Sequence, residues 1–236
     1  MILNPEENIL QSELDKFYRF TQTNKLVINE RKCFVMKITR SRKFDFPPDF
    51  TIGNSQTLEA KSEHKILGVM VQNSLKWDSQ CTEMIRKATK CTWVIRRMKN
   101  LGVRQSLLVD YWKSEGRVML EYACPVWHSG LTLAQARSLD RAQRVAMAAI
   151  TGRWERSHTA QLQELGLERL KTRRHRICKT FAERTAKDSR HQHMFKINPN
   201  SRTRGDKVNK YCEITTRTRT YHKSALPYLT RQLNNQ

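Results

Sequence analysis

Catalysis or metal binding needs particular side chains at particular spacings, and this sequence offers few of them. His191 and His193 with Cys178, or Cys124 with His128, are the types zinc takes as ligands. No Cys-x-x-Cys or His-x-x-x-His pair supplies the spacing of a structural zinc site, so no metal site is predicted. Asp45, Asp49 and Asp110 are acids a nuclease would draw on, but they lie in loop or amphipathic contexts without a partner carboxylate close in sequence. No glycine-rich phosphate loop and no nucleophile–base pairing is visible. The abundant chemistry is cationic. Arg169, Arg173 and Arg176 fall at i, i+4 and i+7, a row on one helix face, widened by Arg174 and His175. Few acids stand near them in sequence, so the row is expected to stay unneutralised. Arg217, Arg219 and Tyr221 alternate, and an extended strand would present all three on one side. Guanidinium groups hold phosphates and an exposed phenol ring stacks on a base, so the six arginines and Tyr221 are the predicted nucleic-acid contacts.

Composition points the same way. The 236 residues include 44 Lys/Arg against 22 Asp/Glu, a formal charge of +22 with pI near 10.2. Such a surplus repels itself in a compact chain and favours a polyanionic partner, RNA or DNA ahead of an anionic membrane surface. The charge is uneven. Residues 1–140 carry 22 basic and 15 acidic side chains, whereas residues 141–236 carry 22 and 7. A hydrophobic content of 38% with five tryptophans is enough for packed structure. No apolar run reaches transmembrane length, and the first residues lack the basic-then-apolar layout of a signal peptide, so neither membrane insertion nor secretion is expected. The six cysteines are scattered among apolar neighbours and read as reduced, as in an intracellular protein of the nucleus or cytoplasm.

The elements that must position these residues are mixed. Asn4 and Pro5 suit the start of a helix whose inner face is Leu10, Leu14, Phe17 and Tyr18. Leu26–Ile28 is expected as one arm of a hairpin turning at Asn29, and Cys33–Ile38 as a strand buried on both faces. Arg40–Lys43 and Pro47-Pro48 predict a basic surface loop, Thr51–Leu58 a hairpin, and Lys65–Val71 a strand opened by Gly68. From about Asp78 the apolar period becomes helical. Cys81, Met84, Ile85, Ala88, Cys91, Ile95 and Met98 form one stripe, closed by Gly102. A second helix carries Leu107 to Met119, with a weak point at Gly116 and its end at Pro125. A third runs from Leu133 to Ile150. Ser157 caps a short helix, and Gly166 separates it from a fourth, Leu167 to about Ala186, with Leu167, Leu170, Ile177 and Phe181 inward. The expected fold is α+β: a small N-terminal β-hairpin region (1–75), a helical domain (76–155) and a basic helical C-terminal region with a tail (156–236).

Val27–Cys33, Lys65–Val69, Leu120–Trp127, Arg141–Val145 and Leu165–Leu170, taken in that order, resemble the C-terminal portion of non-LTR retrotransposon reverse transcriptases, from the end of the palm onward. Val27-Ile28-Asn29-Glu30-Arg31-Lys32-Cys33 is similar to that family's hydrophobic-Asn-x-x-Lys-Cys segment, and Lys65-Ile66-Leu67-Gly68-Val69 to its Lys-x-Leu-Gly-Val strand. Leu120–Trp127, Arg141–Val145 and Leu165–Leu170 with Arg173-Arg174 follow in the same order. The resemblance covers nearly the whole chain; its specificity comes from the order, since no single segment is distinctive. It implies a palm remnant followed by a thumb. Lys32 would stand where the family has a leaving-group acid, and Leu67 with Gly68 where its primer grip lies. The family's polymerases carry an aromatic-Ala-Asp-Asp turn that cages catalytic metal ions, and this sequence contains no Asp-Asp pair. The resemblance therefore implies a reverse-transcriptase fragment whose catalytic half is absent. It would bind RNA and DNA without polymerising alone, with no cofactor of its own (Mg²⁺ belonging to the full-length parent) and no small-molecule substrate. A helical interaction protein adopted by a host, its basic face meeting an acidic protein, is the alternative.

Overall fold

The structure, a computed structural model, describes residues 9–38, 49–53, 56–154, 157–199 and 210–235. The expected Asn4–Pro5 helix start, the basic loop with its paired prolines, Asp45 and the turn around Arg202–Gly205 lie outside them. The architecture is α+β and mainly helical, and the chain divides into two units, Met1–Lys76 and Trp77–Gln236.

In the first unit, helix α1 (Ile9–Thr23) lies along a small apolar cluster of Phe50, Ile52 and Leu58. Leu10, Leu14 and Tyr18 reach that cluster, while Phe17 stays exposed. Gln11 ties the helix to strand β2 (Thr51–Ile52), its side-chain amide accepting from the Thr51 N–H at 3.0 Å and donating to the Thr51 carbonyl at 2.9 Å. β2 pairs antiparallel with β3 (Gln56–Thr57). Three expectations need correction. Leu26–Ile28 is not a strand; Asn29 precedes a single 3₁₀ turn, Glu30–Lys32, because the Lys32 N–H bonds back to the Asn29 carbonyl. The buried strand shrinks to β1 (Phe34–Val35), half-buried and parallel to β4 (Glu59–Ala60). Lys65–Val71 is two strands. β5 (Glu63–Ile66) and β6 (Val69–Gln72) pair antiparallel around Leu67 and Gly68, both at positive φ of 46° and 86°. Two left-handed residues make the tight turn whose twist matches paired strands, and Gly68 takes its place without steric cost.

Among the described residues the second unit is mainly helical, with one isolated antiparallel bridge between Ile197 and Tyr211. α2 (Asp78–Asn100) buries Cys81, Met84, Ala88 and Ile95, and Gly102 at φ 78° ends it. Its buried face packs on α6 (Leu133–Thr151), which begins with a reciprocal cap between Thr132 and Gln135. Between them α3 (Gln105–Tyr111), a π-helical turn (Trp112–Gly116) and α4 (Arg117–Glu121) form one interrupted rod. The interruption has a local cause: the fully buried Trp112 indole lies where a Cβ on Gly116 would be. Pro125 does not end that rod but occupies the first turn of α5 (Cys124–Trp127), where its missing N–H costs nothing. Left-handed Ala123, at φ 51°, makes the break. Ser157 caps α7 (His158–Glu164), accepting from the Ala160 N–H. α8 (Leu170–Lys187), α9 (Arg219–His222) and α10 (Ala225–Asn234) complete the unit. α8 packs on α5, α6 and α10, so helices on both sides of residue 155 share one core.

Gly116→Ala is expected to destabilise this unit by about 1–3 kcal/mol, because the added methyl overpacks against an indole with nowhere to move. Thermal and urea unfolding check this. An unchanged midpoint would mean that Trp112 can repack.

Candidate nucleic-acid interface

The helix that was to carry the basic row is turned relative to the expectation. α8 starts at Leu170, with Arg169 outside it as the N-cap residue. Leu170, Arg174, Cys178 and Ala182 point inward at a strict spacing of four. Phe181, expected inside, is 46% exposed, and Arg174, expected on the surface, is fully buried. The row is therefore broken up. Arg169 donates to the Thr159 hydroxyl at 2.7 Å. Arg173 forms a two-pronged pair with Glu121, at 2.7 and 3.1 Å. Arg176 does the same with Glu168, at 2.9 and 2.7 Å. Glu121, 52 positions from Arg173, and Glu168, directly before the row, neutralise arginines that were expected to be free.

Arg174 sits in a polar centre. Its Nε donates to His128 Nδ1 at 3.3 Å, and its guanidinium lies 5.8 Å from the Trp127 ring centroid. His175 accepts from or donates to the Tyr228 hydroxyl at 2.7 Å, tying α8 to α10. Burial, reinforced by the neighbouring Arg174, pushes the His128 pKa from its ordinary 6.5 down to about 3. Cys124 and Cys178 face each other with sulfurs 4.0 Å apart, and all six cysteines are free thiols. Among the described residues no group of three or more His, Cys, Asp or Glu is arranged to hold a metal ion. His191 instead contacts Asp188 at 3.2 Å, and Asp110 contacts Lys113 at 3.5 Å.

The tail also departs from the alternating strand. Thr218 caps α9 by accepting from the Tyr221 N–H, which winds Arg219–His222 into a helical turn. Arg217, Arg219 and Tyr221 are all exposed but do not line one side of a strand. In the N-terminal unit Lys32 is exposed at the end of the 3₁₀ turn, and Leu67 is 89% exposed at the hairpin tip.

The structure instead gathers arginines where sequence reading placed none. On α6, Arg137, Arg141 and Arg144 stand at i, i+4 and i+7, the spacing credited to α8. Trp154, just after the left-handed Gly152 that ends α6, carries the Arg144 guanidinium 4.8 Å from its ring centroid. Arg96 of α2 and Arg153 line a hollow with Trp154, and Arg137, Arg141 and Arg144 line another with it. Five arginines thus surround one indole. Arg153 is paired with Glu164 at 2.8 Å, but Arg96, Arg137 and Arg141 are exposed and take part in no ion pair among the described residues. A second exposed indole, Trp93, has Arg97 5.6 Å from its ring centroid on α2. The signal for this patch was available in the spacing of Arg137, Arg141 and Arg144. Nothing in the sequence gave it preference over the denser row on α8.

Arg173→Gln should destabilise the chain by about 1–3 kcal/mol, since it leaves the nearly buried Glu121 carboxylate with only the longer Arg117 contact at 3.9 Å. Arg176→Gln, which breaks an exposed pair, should cost no more than about 1 kcal/mol. Urea denaturation followed by circular dichroism measures both, and equal losses would contradict the burial of Glu121. His128 must stay neutral in the fold but protonates near pH 6.5 once unfolded. Its depressed folded pKa therefore gives stability that is present above pH 6.5 and lost as pH falls from there toward 3. The slope approaches about 1.4 kcal/mol per pH unit. His128→Gln, which keeps an acceptor for Arg174, should flatten the decline of the urea midpoint between about pH 7 and 5. A parallel decline in both proteins would refute the assignment.

No family model, curated protein or solved structure matches the chain, so its functional reading stands on the residues and geometry described above.

Proposed function

We propose that this chain binds RNA and DNA through the arginine patch of α6 and α2. In this reading it is a non-catalytic portion of a retrotransposon reverse transcriptase, working in the nucleus or cytoplasm without a cofactor of its own. The observation that carries the binding is the contrast between two arginine rows. The α8 row is matched by Glu121 and Glu168, whereas Arg96, Arg137 and Arg141 stand exposed and in no ion pair among the described residues, with Asp140 the acid that shares their hollow and two exposed indoles nearby. Unmatched guanidiniums track a phosphate backbone, and aromatic faces beside them suit bases. Arg217 and Arg219 of the tail add exposed positive charge. The order of the resembling segments and the lack of an Asp-Asp pair support the rest of the reading. No helix among the described residues is long and apolar enough to cross a membrane. Lys32, Leu67 and Gly68 keep their family-like roles only as latent positions. A second reading, an interaction protein with an acidic partner, is favoured by one feature. Val126, Ile177 and Phe181 line an apolar groove of about 600 Å³ that also includes Arg176 and Arg184.

The two readings separate by salt dependence. Replacing Arg96, Arg137 and Arg141 together with glutamine should flatten the slope of log K against log salt for single-stranded RNA by about two units, at roughly 0.7 per phosphate contact. The same change at Arg169, Arg173 and Arg176 should leave the slope close to wild type, with Arg173 lowering stability. Loss of slope only in the second set would return the interface to α8. Failure of the wild type to bind any nucleic acid would leave the protein-partner reading.

A further inference from the structure

Trp154 is 56% exposed, although a tryptophan is expensive to leave in water. Its ring borders both hollows, and their linings differ in kind. The smaller, about 200 Å³, has Val145, Ala148 and Ala149 of α6 as apolar wall, with Arg96 and Arg153. The larger, about 410 Å³, is lined by Arg137, Arg141, Arg144, Asp140 and His158. The Arg144 guanidinium lines the larger one and lies over the indole, a cation–π contact that fixes the ring. A phosphate is poorly accommodated against aliphatic side chains, whereas guanidiniums match its charge and its acceptor oxygens. An indole beside an aliphatic wall suits the flat face of a base, and the neighbouring arginines suit the phosphates on either side of it. In a duplex the base faces are stacked on one another and out of reach.

We propose that the Trp154 cleft takes one unpaired nucleobase of a single-stranded RNA or DNA. The base stacks on the indole against Val145, Ala148 and Ala149, and Arg137 with Arg141 hold the adjoining phosphates. The proposal rests on the reading that the chain binds nucleic acid and adds that it selects single strands through this residue. Uracil-bearing and thymine-bearing strands share the chemistry, so both are arms of the test.

The test uses the full chain with fluorescent strands of about twelve residues, within the range that single-strand sites span. The strands are an oligouridylate, its deoxythymidylate counterpart, a duplex of the same length and an abasic sugar-phosphate strand of equal charge. Trp154→Ala should weaken binding of both base-bearing strands by roughly five- to a hundredfold, the effect of losing one stacked base. It should leave the abasic strand, the duplex and the salt slope unchanged, and Trp154→Phe should restore most of the loss. Because Trp154 is more than half exposed, the alanine variant should melt within a few degrees of wild type. Equal weakening of base-bearing and abasic strands, or no weakening of either, overturns the cleft while leaving nucleic-acid binding intact. Absence of wild-type binding to every strand overturns both.

Discussion

The burial of Arg174 is the constraint on which the helical unit depends. A guanidinium cannot shed its charge, so enclosing it demands acceptors and countercharges from several directions. His128 supplies the acceptor and Trp127 a ring face, while Asp140 and Glu121 are close enough to offset part of the desolvation that lowers its pKa. These partners come from four different segments, so the guanidinium joins several elements of the unit. Removing one partner from a buried charge costs more than the pair contributes, so the arrangement favours one packing over its neighbours in register.

That single placement decides which way α8 faces. With Arg174 inward, Leu170, Cys178 and Ala182 follow it into the core, and Arg173 is turned to the edge where Glu121 meets it. Phe181 and Ile177 are carried toward the surface groove they share with Val126. The same burial draws α5 and the turn after it onto α8, where Cys124 meets Cys178, and α10 follows through Tyr228 and His175. Segments that carry the resemblance in sequence turn out to be packing residues. Leu120, Cys124, Trp127 and Gln143 are fully buried, and Glu121 nearly so. With Arg173, Arg174 and Arg176 of α8 committed inward or paired, exposed guanidiniums in no ion pair among the described residues include Arg137 and Arg141 of α6 and Arg96 of α2, around Trp154.

The sequence by itself determined most of the elements of the helical unit. Apolar period 3.6, the Ser157 cap and the glycines at 102 and 166 are local signals, and each marks a helix or its end in the structure. It also determined the α+β class and the excess of positive charge. Where local signals were short, they misled. Leu67-Gly68 lies inside an apolar run, and the run hides a turn because leucine is an uncommon choice for a left-handed position. Pro125 reads as a stop or a start depending on Ala123, whose left-handed backbone no pattern announces.

Which charges are free was decided only by the tertiary structure. Arg173 and Glu121 are 52 positions apart, Arg174 and His128 are 46 apart, and Arg144 meets Trp154 across the end of a helix. Spacing along one helix says which side chains share a face, but not whether that face meets core, countercharge or water. An arginine row with an acidic partner folded against it and one without are identical in sequence pattern. They differ only in whether a desolvated carboxylate happens to be brought beside them, which is settled by how the helices pack.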